Sequence, residues 1–160
     1  MSASPGRVFA LIDDHERLSS HMSQSSWRMG GARMKTILDE HRGQRVGSHI
    51  RMSGRVLGLE LSLDEVVTER EPPIRKVWET VGSPRLLVIG SYRMGFEVMP
   101  RGSGSQLRVF IDYALPSPLL ERLLSRVFGG YYAHWCTQSM VNDAVRQFAS
   151  SAKPLPAGIA

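Results

Sequence analysis

Apolar and polar positions follow two different periods along this chain, and the clearest helical period lies in residues 116–148. From Ala133 the small and apolar residues stand at positions 133, 136, 140, 144 and 148, so steps of three or four place them on one helix face. Gly129 and Gly130 interrupt this stretch, and each glycine costs a helix about 1 kcal/mol relative to alanine. The pattern predicts a long amphipathic helix with a kink, or two helices that meet, at the glycines.

Upstream of this helix the period changes to two. Alternation of apolar and polar residues is typical of a strand with one buried face. The predicted strands are residues 33–38, 50–56, 59–71, 76–81, 92–98 and 107–113. Turn residues separate them at regular spacing, which predicts an antiparallel meander.

Two places in these strands predict an irregular sheet. The leucines at 59, 61 and 63 are followed by Val66 and Val67, which predicts a bulge that shifts the buried face near Glu65. The sequence Gly82-Ser83-Pro84 predicts the end of the fourth strand.

Two short helices are predicted before the first strand. Ser4 and Pro5 form a helix start, with a hydroxyl N-cap and a proline at the first helical position. A second short helix is predicted over residues 15–22. Strands followed by one long helix predict an α+β fold, in which the helix lies across a curved antiparallel sheet. We expect a single domain over residues 1–150 and a disordered tail over 151–160.

Composition limits the classes of function. The 160 residues carry a net charge of +5 that comes largely from scattered arginines, which favours a solvated surface over a nucleic-acid footprint. No apolar run is long enough for stable membrane insertion, and no secretory signal opens the chain. A lone cysteine, Cys136, predicts a cytoplasmic protein without a disulfide. The histidines show no metal-ligand spacing and no phosphate loop is present, so neither a metal nor another cofactor is expected.

The order of elements resembles the helix-grip superfamily of START, Bet v 1 and polyketide cyclase/dehydrase-like proteins. The resemblance covers roughly residues 4–149 and is carried by Ser4-Pro5-x-x-Val8-Phe9-Ala10-Leu11, Asp14-x-Glu16-Arg17-Leu18, Val67-Thr68-Glu69-x-x-Pro72-Pro73, Gly90-x-Tyr92-Arg93-x-x-Phe96-Glu97, Asp112-Tyr113-x-Leu115-Pro116 and Ala133-x-Trp135. It implies a sheet of six or seven strands around the long helix, with an apolar cavity between them that holds a lipid, sterol, polyketide or similar molecule.

One departure from this family concerns its first strand. Such chains usually have a strand before the Ser-Pro helix start, and here Met1-Ser2-Ala3 precedes it. Loss of that strand leaves two unpaired sheet edges. We therefore expect that the natural chain starts upstream or that a homodimer covers the edges.

The candidate ligand-binding residues are those whose register directs them towards the cavity that the resemblance implies. They are Leu59, Leu61, Leu63, Tyr92, Met94, Phe96, Val109, Ile111, Tyr113, Tyr132, Met140 and Ala144. Tyr92, Tyr113 and His134 are also weak candidates for catalysis, because a phenol polarises a ligand carbonyl and an imidazole transfers protons. The tyrosines are better explained as core residues with the hydroxyl at the rim, and His134 as a surface or rim residue. Tyr131 and Trp135 are further polar candidates, whereas Cys136 is interpreted as a small apolar residue.

Three functions remain open on these patterns. The first is binding or carriage of a small hydrophobic molecule, the second is a polyketide cyclase/aromatase or dehydrase, and the third is a cochaperone-like interaction module. An inward histidine or carboxylate within reach of a tyrosine favours the enzyme, a wholly apolar cavity favours carriage, and a filled interior favours the interaction module. Residues 119–128 would form a lid at the cavity mouth if the helix breaks at the glycines.

Overall fold

The computed structural model describes residues 1–18, 33–56, 59–86, 89–115 and 119–151. In chain order the elements are α1 (Pro5–Ile12), α2 (His15–Leu18), β1 (Arg33–Leu38), β2 (His49–Val56), β3 (Leu59–Glu71), β4 (Arg75–Arg85), β5 (Tyr92–Arg101), β6 (Gly104–Tyr113) and α3 (Leu119–Ser151).

Each strand pairs antiparallel with the next, so the described strands form one sheet in the order β1-β2-β3-β4-β5-β6. The predicted antiparallel meander, the long C-terminal helix and the two short N-terminal helices are therefore confirmed. Helix α2 is described to Leu18, and the remainder of its predicted span, 19–22, lies outside the described residues, as does the predicted tail from residue 152. Within the described residues, no helix is long and apolar enough to span a membrane.

The N-terminal residues pair with the beginning of β6. The Met1 ammonium donates to the Ser105 carbonyl at 2.9 Å, and the Ser105 N–H donates to the Met1 carbonyl at 3.0 Å. The Ser105 hydroxyl also donates to the Ala3 carbonyl at 2.7 Å. These contacts occupy one position of the β6 edge, and dimerisation through the sheet edges stays a prediction.

Strand β3 keeps one buried face through Glu65. Leu63, Glu65 and Val67 are all buried, so the alternation continues without a shift at Glu65. The register with β4 shifts instead between Ser62 and Asp64 and between Val67 and Glu69. An irregularity near Glu65 is therefore confirmed on either side of this residue, whereas the predicted shift of the buried face at Glu65 is wrong.

Strand β4 continues through Gly82-Ser83-Pro84, so the prediction that these residues end the strand is also wrong. Asp64 lies opposite Val81, whereas Ser62 lies opposite Arg85. The extra residues of β4 form an irregularity in its pairing with β3. Gly82 lies in this irregularity with a φ of +70°, a backbone conformation that residues with a side chain rarely adopt.

Helix α3 runs through Gly129 and Gly130 as one helix, so the alternative of two separate helices is wrong. Gly129 is buried, and a Cβ added to Gly130 would lie 3.9 Å from the Tyr113 Oη of β6. A methyl group at Gly130 would therefore make ordinary van der Waals contact with Tyr113, so this glycine is not required for the helix to lie on the sheet. The side chains of 119–128, the predicted lid, lie outside the described part of the structure.

An aromatic chain joins the N-terminal helices to the sheet. The Phe9 ring meets Phe96 at a centroid distance of 5.5 Å, Phe96 meets Trp78 at 6.2 Å, and Trp78 meets His15 at 5.2 Å, all with rings at steep angles. Such edge-to-face contacts add to the burial of apolar area. They fix α1 and α2 against one end of the concave face.

A cavity with a buried carboxyl group

The concave face of the sheet, α2 and α3 enclose a cavity. Its apolar wall consists of Leu18, Met52, Leu63, Trp78, Leu86, Ile89, Met94, Ile111 and Met140, and its polar groups belong to His15, Glu65, Tyr92, Tyr132 and Cys136. The empty space between these residues, including its opening to solvent, is about 510 Å³, of which about 50 Å³ admits the centre of a water molecule. The smaller volume describes the room in this conformation, which is enough for a few waters.

Glu65 is the most buried polar group of the cavity, with 1% of its surface exposed. The Tyr92 hydroxyl donates a hydrogen bond to Glu65 Oε1. The other oxygen, Oε2, accepts no hydrogen bond from any residue that the structure describes. His15 Nε2 lies 3.7 Å from Oε2, which is beyond hydrogen-bond distance. One carboxyl oxygen is therefore satisfied by the protein and the other is not.

Burial governs the acidity of this group. Desolvation raises the pKa of Glu65 from 4.5 to about 7, because water no longer stabilises the charged form. The Tyr92 hydroxyl, the Trp78 indole and the charge of Lys76 each lower the pKa of Glu65 and limit the rise. Desolvation and the neighbouring Glu65 raise the pKa of Tyr92 well above its usual value. Near neutral pH the carboxyl group thus exists in both protonation states beside a neutral phenol.

The sheet register brings Glu65 and Tyr92 together from two strands that flank β4. Glu65 of β3 lies opposite Thr80 of β4. The Tyr92 N–H of β5 donates to the Thr80 hydroxyl at 3.0 Å, so Tyr92 lies beside the same residue on the other side. Both side chains point to the concave face, and the phenol reaches across β4 to the carboxyl group.

His15 is held in place by the end of α1. Asp13 caps this helix, and the fully buried Lys76 Nζ donates to the Asp13 carbonyl at 2.9 Å and approaches its Oδ1 at 3.1 Å. Arg70 donates to both Asp13 carboxyl oxygens, at 2.8 and 3.2 Å. This cluster of Asp13, Arg70 and Lys76 fixes the chain two residues before His15, whose ring edge then packs on Trp78.

Tyr132 and Cys136 face the cavity from successive turns of α3. Burial raises the pKa of Cys136 to about 11, and a hydrogen bond from Tyr132 lowers it only in part. Burial likewise raises the pKa of Tyr132 well above its usual value. Because the thiolate is the nucleophilic form, the raised pKa disfavours a nucleophilic role for Cys136 at neutral pH.

The candidate ligand-binding residues divide into two groups. The residues Leu63, Tyr92, Met94, Ile111, Tyr132 and Met140 line the cavity. The others have different positions: Phe96 and Ala144 are buried in the core, Leu61 and Val109 pack against it, and Tyr113 lies beside Gly130. The Leu59 backbone belongs to β3, and its side chain lies outside the described part of the structure.

Among the candidates for catalysis, the cavity contains Tyr92. His134 is exposed on α3, and Tyr113 does not line the cavity. Tyr131 is 68% exposed, and the Trp135 ring packs against Tyr132 at a centroid distance of 5.9 Å. In the described parts of the chain, no three histidine, cysteine or acidic side chains come together as a potential metal site.

Sequence reasoning missed Glu65 and His15 as cavity residues. A signal for Glu65 was present, because positions 59, 61, 63, 65 and 67 share one parity and a strand without a bulge places them on one face. No comparable signal exists for His15, whose position depends on how α1 and α2 dock on the sheet.

Comparison with known proteins agrees with this architecture. The sequence model of the family described as polyketide cyclase/dehydrase and lipid transport matches residues 1–142. No curated protein is significantly similar in sequence. Among solved structures, the protein TTHA0849 from Thermus thermophilus is similar with a TM-score of 0.67 and 16% identity, over 96% of this chain and 94% of that chain.

Two further structures have the Bet v 1-like fold. Ara h 8.0201 is similar with a TM-score of 0.57 and 8% identity, over 91% of this chain and 92% of that chain. The major latex-like protein 151 of Panax ginseng gives a TM-score of 0.51 and 16% identity, over 94% and 91% of the two chains. At these identities the similarity shows the fold, which is of the helix-grip type.

Proposed function

The chain belongs to the polyketide cyclase/dehydrase and lipid transport family, and we propose that it binds a small hydrophobic molecule in the cavity between the sheet and α3. The apolar wall of this cavity carries the proposal, because it combines side chains from the sheet, α2 and α3 around space that they leave unfilled. Cavities of this composition are typical of ligand sites.

The wall also suits a ligand larger than the space in the present conformation. Met52, Met94 and Met140 contribute to it, and unbranched thioether side chains change rotamer at low cost. Each Å² of apolar ligand surface removed from water contributes about 25 cal/mol. A rigid bicyclic hydrocarbon is therefore a suitable first probe.

Ligand-observed NMR with naphthalene tests the proposal. We expect saturation transfer from the native protein to the probe, and loss of this signal in Met140→Trp, whose larger side chain fills the cavity. Val145→Trp is the matched control, since Val145 is 48% exposed on the same helix. Overpacking costs about 1–3 kcal/mol, so Cys136→Phe serves as a second blocking variant if Met140→Trp does not fold. Absence of transfer to the native protein, or equal transfer in both tryptophan variants, would contradict the proposal.

A second candidate function is acid–base catalysis of the polyketide cyclase/aromatase or dehydrase type. The observation that favours it is Glu65, whose pKa of about 7 in an apolar cavity suits a general acid or base, beside Tyr92. The carboxylate would take a proton from the carbon next to a ketone, leaving the electron pair in the enolate, and would return a proton later. The third alternative, an interaction module, would be favoured by a filled interior. The cavity therefore gives this alternative no support.

Deuterium exchange distinguishes catalysis from binding alone. With 2-tetralone in D₂O near neutral pH, an enzyme of this type would replace the α-hydrogens by deuterium faster than buffer does. Glu65→Gln should abolish this acceleration, and Glu60→Gln, on the exposed side of β3, should leave it unchanged. If native protein binds tetralone without accelerating exchange, the catalytic candidate is rejected for this class of ketone and the binding function stands.

A further inference from the structure

When Glu65 is ionised, the polar groups of the cavity leave a carboxylate acceptor without a hydrogen-bond donor among the described residues. The Tyr92 hydroxyl gives its proton to Glu65 Oε1, and Tyr132 is hydrogen-bonded to Cys136. Glu65 Oε2 is the buried acceptor that receives no hydrogen bond from the described residues. A buried polar atom without a partner costs about 1–3 kcal/mol, so a ligand that satisfies it gains affinity.

Glu65 supplies the negative charge at this end of the cavity, and His15 supplies a positive charge only when its ring is protonated. No arginine or lysine of the described chain lines the cavity, and the nearby buried Lys76 is engaged by Asp13. His15 lies 3.7 Å from Glu65 Oε2, so a charge on its ring would be shared with this carboxylate. A ligand carboxylate placed here would therefore meet Glu65 without a cation of its own, in surroundings that screen charge poorly.

From this arrangement we infer that the cavity selects neutral hydrophobic ligands that carry a hydroxyl group, such as phenols and alcohols, and discriminates against carboxylate-bearing lipids. The ligand hydroxyl donates to Glu65 Oε2, and its apolar body lies along Met52, Leu63 and Met94. The inference rests on the proposed binding function and adds the chemical class of the ligand. A hydroxyl donor replaces the missing partner of the carboxylate, whereas a hydrocarbon of the same shape leaves it unpaired.

Three probes of one shape test the selection. Naphthalene, 2-naphthol and 2-naphthoate are titrated by ligand-observed NMR at about pH 8, above the pKa of Glu65, so that its carboxyl group is ionised. We expect 2-naphthol to bind about tenfold more tightly than naphthalene, and 2-naphthoate at least about tenfold more weakly than 2-naphthol. A ¹³C shift of the Glu65 carboxyl carbon that responds to 2-naphthol and not to naphthalene locates the hydrogen bond in the native protein.

Variants assign the preference to one residue. In Glu65→Gln the advantage of 2-naphthol over naphthalene should shrink below about threefold, and 2-naphthoate should gain about tenfold because the negative charge is gone. Glu60→Gln should leave all three affinities unchanged. In Tyr92→Phe the preference for 2-naphthol should persist, because both carboxylate oxygens of Glu65 can then accept a hydrogen bond from the ligand hydroxyl.

The outcomes separate this inference from the proposed function. If naphthalene and 2-naphthol bind equally to native protein, the selection is wrong and the binding function stands. If Tyr92→Phe removes the preference and Glu65→Gln keeps it, Tyr92 is the recognition group and the inference is overturned. If none of the three probes binds, the proposed function itself fails.

Discussion

At the scale of single residues, Glu65 is a carboxyl group that is almost completely removed from water. It has one hydrogen bond from Tyr92, a second oxygen without a donor among the described residues, and apolar neighbours such as Leu63 and Met52. A carboxyl group in such a place would be expected to remain neutral at a pH where exposed carboxyl groups are ionised. Its presence in a ligand cavity gives the protein a proton that is released near neutral pH.

This acidity predicts how stability depends on pH. The folded state holds the Glu65 proton with a pKa of about 7, whereas the unfolded chain has a pKa near 4.5. Between these values the folded state binds more protons, so this contribution to stability is complete below about pH 4.5 and is lost as the pH rises through 7. The loss is about 3 kcal/mol, the equivalent of the difference between the two pKa values. Urea denaturation at a series of pH values measures it.

Glu65→Gln should remove this fall, because a neutral amide of the same shape has no proton to lose. The fall should remain in Glu60→Gln, where the exposed ion pair with Arg55 contributes less than about 1 kcal/mol. The free energy of unfolding of Glu65→Gln is subtracted from that of the native protein at each pH. A difference that stays constant over this pH range would show that the carboxyl group is not buried as described.

At the scale of elements, the sequence was most informative where periodicity acts over many residues. Strand β1 was predicted with its observed limits, and β2, β5 and β6 were predicted with ends shifted by a few residues. Alternation identifies such strands because each has one buried and one exposed face. The order of the sheet followed from short turns between consecutive strands.

Prediction failed where one residue type was given more weight than the register. The adjacent residues Val66 and Val67 were interpreted as a shift of the buried face near Glu65, although Glu65 has the same parity as the leucines before it. Composition does not reveal that the Tyr92 hydroxyl and the Trp78 indole stabilise the carboxyl group from neighbouring strands. The glycines of α3 were interpreted as a kink or as the meeting point of two helices, whereas one helix continues through them.

At the scale of the whole molecule, the cavity depends on how the N-terminal helices dock on the sheet. The buried Asp13 and Lys76 and the partly exposed Arg70 form an ion cluster at this junction, which connects α1 with β3 and β4. Asp13 is 57 residues from Arg70 and 63 residues from Lys76 in the sequence, so periodicity cannot identify this cluster, and His15 was therefore not predicted at the cavity. The cluster matters for function because it fixes the start of α2, whose residues His15 and Leu18 close one end of the cavity.

Replacing Lys76 by methionine tests this role. Lys76→Met keeps a side chain of similar length but leaves the buried Asp13 without one of its cations, so we expect a loss of about 3 kcal/mol in the free energy of unfolding. Lys35→Met, on the exposed side of β1, should change it by less than about 0.5 kcal/mol. Adding Asp13→Asn to Lys76→Met should recover part of the loss, because no uncompensated charge is then buried. Urea denaturation measures the stability of the two single variants and of the double variant. Equal stability of Lys76→Met and Lys35→Met would show that the cluster does not hold the helices on the sheet.

The same substitution also tests how the cluster affects the cavity. Since Lys76 lowers the pKa of Glu65, Lys76→Met should move the titration of the Glu65 carboxyl group to higher pH. This shift would link the docking of the helices to the chemistry of the cavity.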